Sequence, residues 1–354
     1  MENFRAVING VLCTVGLWGF STAVVIIQFL SLFIWPFSRK LYHAYHAHMM
    51  RQWAQNLFQI MRIFAPGELI ITMDESCTDE GTDITGEVEE QERDNDKLEL
   101  LLTRNKKGRV TGISFPERLV MISNHQGMKF FEFIFLKRKL EHDKDNIIHN
   151  LQVSKNRGRP MWLVLFPEGT VISDDTRLKS KEFADKLHMD DFKFSLLPRT
   201  TGLLLCKETL GDSVEWLYDL TIGYPGIPVD ENPEDVMTMQ SIFCKGTGPK
   251  RIHVYIRRYR LDKIPSDTEN FSKWLLENWT EKDKRLAYFN RHGKFAEEAD
   301  IGEGLYENDR TFRVPITLRN TIRECFGYWL YFILYIPLIY IIIYSTLSVY
   351  ARLT

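Results

Sequence analysis

Cysteine is scarce in this chain of 354 residues, and Cys13, Cys77, Cys206, Cys244 and Cys325 show no Cys-x-x-Cys spacing. The pattern speaks against a zinc site or a redox pair and fits a reducing compartment without structural disulfides. A Gly-x-Ser-x-Gly elbow is missing, which sets aside a serine lipase. So are a Walker loop and a dinucleotide fingerprint, which sets aside the commonest nucleotide-binding classes. Charge is absent from two long stretches, Ala6 to Ser38 and Cys325 to Ala351. About 20 apolar residues cross a bilayer as a helix, so either stretch is long enough. The first is too long for the apolar region of a signal peptide, and WPFSRK offers no small-residue cleavage site. A retained anchor is expected there.

What flanks these stretches gives an orientation. Arg39 and Lys40 follow the first, while Arg310, Arg313, Arg319 and Arg323 precede the second. Lys and Arg gather on the cytosolic side, so the region between the two spans is expected in the cytosol. Within it, residues 74–99 contain no aromatic side chain. Twelve acids there face only Arg93 and Lys97, a local charge of −10 that leaves +8 for the rest of a chain of net −2. Such a tract reads as a solvated, disordered insertion, and the basic remainder suits work against anionic headgroups.

Between the anchors, residues 41–64 lack Gly and Pro and repeat apolar positions at helical spacing, and Pro66-Gly67 ends the run. Its aromatic and basic mixture after a membrane span predicts an interfacial helix. His43 and His46 share a helical face, but no carboxylate joins them and His48 points elsewhere, so no metal is expected. Strands are predicted at 68–72, 98–102, 118–123, 161–166, 216–224 and 252–259. Helices are predicted at 178–187 and 271–289. Strands alternating with helices indicate an α/β layer, and near-continuous apolar strands such as MWLVLF suggest burial on both faces.

Four stretches carry chemistry. In VMISNHQ (120–126) an apolar strand ends at Ser123 and presents Asn124, His125 and Gln126. A histidine there suits proton transfer but needs an acid to orient it. Five residues on, where such an acid would sit, stands Phe130. Glu132 is seven residues away, two helical turns or about 10 Å, too far for a hydrogen bond. GMKFFEFIFLKRK (127–139) is an aromatic run with a basic end. MWLVLFPEGT (161–170) takes a buried strand through Pro167 to Glu168, Gly169 and Thr170, at the edge where open α/β sheets place ligands. LLPRTTGLLLC (196–206) sets Arg199 beside two hydroxyls, and a guanidinium grips phosphoryl oxygens in a bidentate fork.

Together these stretches resemble the glycerolipid acyltransferase superfamily, membrane enzymes that acylate lysophospholipids. Its blocks stand here in order as Asn124-His125-Gln126, FFEFIFLKRK, FPEGT (166–170) and PRTTG (198–202), with the resemblance covering most of residues 40–295. YDLTIGYPG (218–226) and IHVYIRRYRLDKIP (252–265) look like its lysophosphatidylinositol and lysocardiolipin branch. Val171 follows FPEGT where lysophosphatidic acid enzymes commonly have arginine, which favours another headgroup. The family's first block has an acid five residues after its histidine, and its second block lies well downstream. The junction between Gln126 and Gly127 therefore looks like an internal deletion of roughly forty residues, judged by the resemblance alone.

The resemblance implies a mixed α/β sheet flanked by helices, with N-terminal and C-terminal membrane helices. The expected layout is an anchor at 1–38, an interfacial helix at 39–67, an acyltransferase-like domain at 68–300, a basic linker at 301–324 and a transmembrane helix at 325–351. It further implies that His125 is the general base, that Glu168, Gly169 and Thr170 line the acceptor phosphate site, and that Arg199 lies beside them. Lysophospholipid and acyl-CoA would be the substrates, with no cofactor, metal or nucleic acid, at the cytosolic face of the endoplasmic reticulum membrane. The alternative left by Phe130 is a catalytically silent, membrane-anchored lipid-binding protein of the same fold.

Overall fold

The computed structural model describes residues 2–78, 98, 101–125, 140–158, 160–228, 231, 233–302, 307–315, 337, 340, 341 and 344. Gln126, the run 127–139, most of the acidic tract and most of the C-terminal apolar stretch lie outside the described residues. The chain forms two compact units. One takes in the residues up to Pro66 together with 239–248; the other takes in 67–238 and 249–315.

The first unit is helical. Helix α1 (Glu2–Thr14) passes through a π-turn at Val15–Gly19 into α2 (Phe20–Ser31). Phe4–Ile34 together are long and apolar enough to cross a membrane. Helix α3 (Arg39–Phe64) starts where the Ser38 hydroxyl accepts the Leu41 N–H, a serine N-cap. It packs antiparallel to α2, burying Phe20, Val24, Ile27 and Met49 in one seam. Two polar contacts fix the register: the Trp53 indole donates to Ser21 Oγ at 3.1 Å, and His46 Nε2 meets Ser31 Oγ at 2.7 Å. Of residues 39–67, expected as an interfacial helix, Arg39–Phe64 form half of a helical hairpin.

The second unit is built on a seven-stranded mixed sheet. Its strands are β1 (Glu68–Met73), β4 (Arg118–Ser123), β5 (Met161–Leu165), β6 (Trp216–Gly223), β7 (Arg251–Arg260), β8 (Glu307–Asn308) and β9 (Thr311–Pro315). They lie in the order β5-β4-β6-β7-β1-β9-β8. Strands β5, β4 and β6 are parallel, so their C-terminal ends reach one edge together. A hairpin of β2 (Leu102–Arg104) and β3 (Val110–Ile113) forms a separate small sheet.

Each face of the large sheet has its own core. On one, Val120, Ile122, Leu163 and Leu217 pack against four helices: α4 (Leu140–Arg157), α5 (Asp174–Lys186), α6 (Thr200–Leu210) and α7 (Thr268–His292). On the other, Leu119, Tyr218, Val254, Ile256 and Phe312 meet the hairpin residues Leu102 and Val110. The alternation follows from the period of two along a strand.

Three expectations change. Leu98 and Leu101 are helical and the strand begins only at Leu102; leucine and glutamate favour helix where no neighbouring strand claims them. The acidic insertion does not start at residue 74. Asp74 accepts the Tyr255 hydroxyl, and Cys77 is fully buried with its Sγ 3.4 Å from the Ile256 carbonyl. Burial raises that thiol to about 12. Within the stretch 301–324, expected as a linker, Thr311–Pro315 pairs antiparallel with β1. Arg310, in the turn before β9, and Arg313, within β9, two of the four arginines used to orient the second span, thus lie near Glu75 and Glu68.

Candidate functional site

Strand β4 delivers the first motif. Ser123 is its last paired residue, opposite Leu220 of β6. Asn124 then continues the ladder with its side chain: Nδ2 donates to the Ile222 carbonyl at 2.9 Å, and Oδ1 accepts the Ile222 N–H at 2.8 Å. An amide side chain carries the same donor and acceptor as a peptide group, so both its polar atoms are satisfied in a buried place. This clamp sets where His125 leaves the sheet. The half-buried imidazole packs edge-on against Phe166, ring centroids 4.5 Å apart.

Strand β5 delivers the second. Phe166 accepts the Gly169 N–H at 2.9 Å, closing a turn over Pro167 and Glu168. Gly169 sits at φ +73°, where a side chain is strained. The turn swings Glu168 inward. It is 2% exposed, and its Oε1 accepts the His125 backbone N–H at 3.3 Å, while Oε2 has no hydrogen-bond partner among the described residues. Burial pushes its carboxyl up to about 7, against the pull of the His125 and Leu196 N–H groups, the Lys282 ammonium and the Trp279 indole.

Arg199 arrives from the third motif. Its N–H donates to the Pro167 carbonyl at 2.7 Å. A Cβ added to Gly169 would lie 3.4 Å from Arg199 Cδ, so the bare glycine lets the arginine stem lie across the turn. Arg199 also caps α6 without a side-chain acceptor, which leaves the first N–H groups of that helix open to an anion. The segment before it is tightly held. Arg177 donates to the carbonyls of Phe192, Lys193 and Ser195. Asp283 accepts the N–H groups of Lys193, Phe194 and Ser195 and the Ser195 hydroxyl.

The fold therefore brings His125, Glu168, Gly169 and Arg199 to one sheet edge, with Glu168 buried and Gly169 and Arg199 exposed. Sequence reasoning missed what lies beneath. Lys282 of α7 is wholly enclosed and donates to Asp219 Oδ1 at 2.6 Å, the Leu220 carbonyl at 2.7 Å and Thr221 Oγ1 at 3.1 Å. Arg257 of β7 holds the other Asp219 oxygen at 2.8 Å and also pairs with Glu281. Burial would raise the Asp219 carboxyl, but Lys282 and Arg257 outweigh it and hold it below the usual range. Asp219 inside the apolar strand WLYDLTIG was the one visible sign, since carboxylates are almost never fully buried unless paired.

The arrangement defines a class: an α/β protein with a histidine at the open edge of parallel strands, flanked by an exposed arginine and a helix N-terminus. Comparisons with known proteins agree. Residues 242–316 match the family model described as the acyltransferase C-terminus. The chain is 31% identical to 2-acyl-1-lysophosphatidylinositol acyltransferase of Saccharomyces cerevisiae, over 59% of this chain and 61% of that protein. It is 34% identical to lysophosphatidylinositol acyltransferase 10 of Caenorhabditis elegans, over 54% and 49%, and 31% identical to lysocardiolipin acyltransferase 1 of Gallus gallus, over 48% and 44%. The chain thus spans about half to three-fifths of the length of these relatives. No solved structure matches it. The chain is thus similar to acyltransferases that act on lysophosphatidylinositol or lysocardiolipin by name.

Proposed function

We propose that this chain transfers an acyl group from acyl-CoA to the free hydroxyl of a lysophospholipid, with lysophosphatidylinositol as the preferred acceptor. The observation that carries the reading is the meeting of His125 with the Glu168–Thr170 turn and Arg199 at one strand edge. His125 accepts the hydroxyl proton as the oxygen attacks the thioester carbonyl. The C–S bond then breaks, and the imidazolium returns the proton to the departing thiolate of coenzyme A. Gly169, Thr170, Arg199 and the N-terminus of α6 hold the acceptor phosphate, the guanidinium by its fork and the helix by its N–H groups.

The names of the yeast and nematode relatives favour an inositol headgroup. The alignment with the yeast protein runs over 243 positions but uses 59% of this chain, about 209 residues, so about 34 positions face no residue here. Residues 4–34 anchor the protein, and the α/β unit works on the cytosolic face of the endoplasmic reticulum.

The test is acyl transfer by the purified full chain in vesicles, with lysophosphatidylinositol and other lysolipids as acceptors and product followed by mass spectrometry. Product from the wild type, cut at least 100-fold in His125→Ala, supports the reading. Equal rates for the two proteins refute it.

A further inference from the structure

Arg199 stands at the end of a segment that is neither helix nor strand. Between α5 and α6 the chain has no regular structure over 187–199, yet Phe192, Ser195, Leu196 and Leu197 are buried. Buried N–H groups need acceptors, and a segment outside any ladder must find them elsewhere.

Side chains supply them. Lys193, Phe194 and Ser195 donate their N–H groups to the Asp283 carboxylate at 3.2, 2.7 and 2.9 Å, and the Ser195 hydroxyl adds a fourth bond at 3.0 Å. The Leu196 N–H goes to Glu168, and the Leu197 N–H to Ser180 Oγ at 3.3 Å. Pro198 has no N–H, and that of Arg199 goes to the Pro167 carbonyl at 2.7 Å. From Lys193 to Arg199 every N–H is thus accounted for, by acceptors on α5, on α7 and in the turn after β5. The carbonyls have a holder of their own. Arg177 donates to Phe192 at 2.9 Å, to Ser195 at 3.3 Å and also to Lys193. Two side chains of opposite charge, from different helices, therefore grip the same stretch and attract each other across it.

We propose that Asp283 and Arg177 are positioning residues for the acceptor lipid, holding Arg199 and the first turn of α6 ready to receive its phosphate. The inference rests on Arg199 meeting that phosphate, as proposed above. A bidentate guanidinium contact needs two parallel bonds and tolerates little misplacement. The Arg199 stem is set on one side by the bare Gly169, and its backbone is set by the clamped segment before it. A receptor fixed before the ligand arrives loses little further freedom on binding. Helix α7 also ties this segment to the sheet: Lys282 reaches Asp219, Leu220 and Thr221 of β6, while its neighbour Asp283 reaches 193–195. The edge that carries His125 and the segment that carries Arg199 are thus fastened to one helix.

The experiment reads binding and needs no turnover. Lysophosphatidylinositol is titrated calorimetrically into the full chain in detergent micelles, with empty micelles as the blank. Asp283→Asn keeps the shape of the side chain but removes its charge and turns one acceptor into a donor that faces N–H groups. It should weaken binding about tenfold, and Asp283→Glu, which restores the carboxylate, should recover part of the loss. In an Arg199→Ala background the same Asp283→Asn change should weaken binding less than about twofold, because a residue that acts through another loses its effect with it. Arg177→Lys, which keeps the charge but lacks the fork that reaches three carbonyls, should follow the same pattern and serves if Asp283→Asn does not fold. Unchanged binding in both variants overturns the proposal. So does an equal loss with and without Arg199, which would make the clamp a general support of the fold. An Arg199→Ala chain that binds as tightly as the wild type overturns it too. Failure of the reaction shows separately: coupled losses in a chain that transfers no acyl group keep the positioning role and remove acyl transfer. Acyl transfer with uncoupled losses does the reverse.

Discussion

Asn124 pairs with Ile222 as one strand pairs with the next, its side-chain amide meeting the carbonyl at 2.9 Å and the N–H at 2.8 Å. The histidine beside it is held by a side chain imitating backbone. Asn124→Ala strips both bonds and leaves the half-buried Ile222 groups without these partners, at about 1–3 kcal/mol at most for each unsatisfied group. Urea unfolding of the full chain should show a lower midpoint at an unchanged slope. Acyl transfer should fall further than stability does, since the exit of His125 is then unfixed.

At Gly169 the backbone requires a positive φ, and Arg199 lies against the missing Cβ. Gly169→Ala adds strain of about 1–2 kcal/mol at a positive φ, and relief of that strain shifts the turn on which the Arg199 stem lies. The expected result is a raised KM for the lysolipid at a KM for acyl-CoA close to that of the wild type, measured by steady-state kinetics.

Arg199→Lys keeps the charge and loses the fork. A monodentate ammonium in place of two parallel bonds costs about 1.4 kcal/mol, a tenfold rise in KM for the phosphate-bearing acceptor. A rise in KM for both substrates alike would show that Arg199 holds something other than the acceptor.

Lys282→Met leaves Asp219 enclosed with only Arg257 to balance it. Removing one partner of a buried pair costs about 3–5 kcal/mol, so thermal unfolding should come markedly earlier. Lys282→Met with Asp219→Leu removes both charges and should recover part of the loss.

Stability should also depend on pH through Glu168. The folded carboxyl keeps its proton up to about pH 7, whereas an unfolded chain releases it near 4.3. The folded state therefore holds the extra proton between those values. Its contribution is complete below about 4.3 and is lost as pH rises toward 7, by roughly 3 kcal/mol in all. Asp219 has the opposite sign, its stabilisation being lost as pH falls. Denaturation of wild type and Glu168→Gln at a series of pH values isolates the first effect, since the amide variant should lack the decline toward pH 7.

Much of the fold and site could be read along the chain. The apolar runs at 118–123, 161–166, 216–224 and 252–259 are strands of the large sheet, and PEGT and PRTTG stand at its edge. Those elements announce themselves because period, length and turn residues are local properties of a few neighbouring positions. TFRVP at 311–315 is too short and too charged to be distinguished from a linker until β1 offers it hydrogen bonds.

The sequence by itself determined the apolar content of the N-terminal helices, the strand-forming runs and the residue types gathered around His125. Only the tertiary structure decided that Asn124 would clamp Ile222, that Lys282 would neutralise Asp219 from 63 positions away, and that Glu168 would turn inward while Arg199 faced out. Each depends on which distant backbone or charge arrives at the same buried point. Burial makes an unpaired polar group too costly to leave, so those meetings, and not local pattern, fixed where the polar groups went.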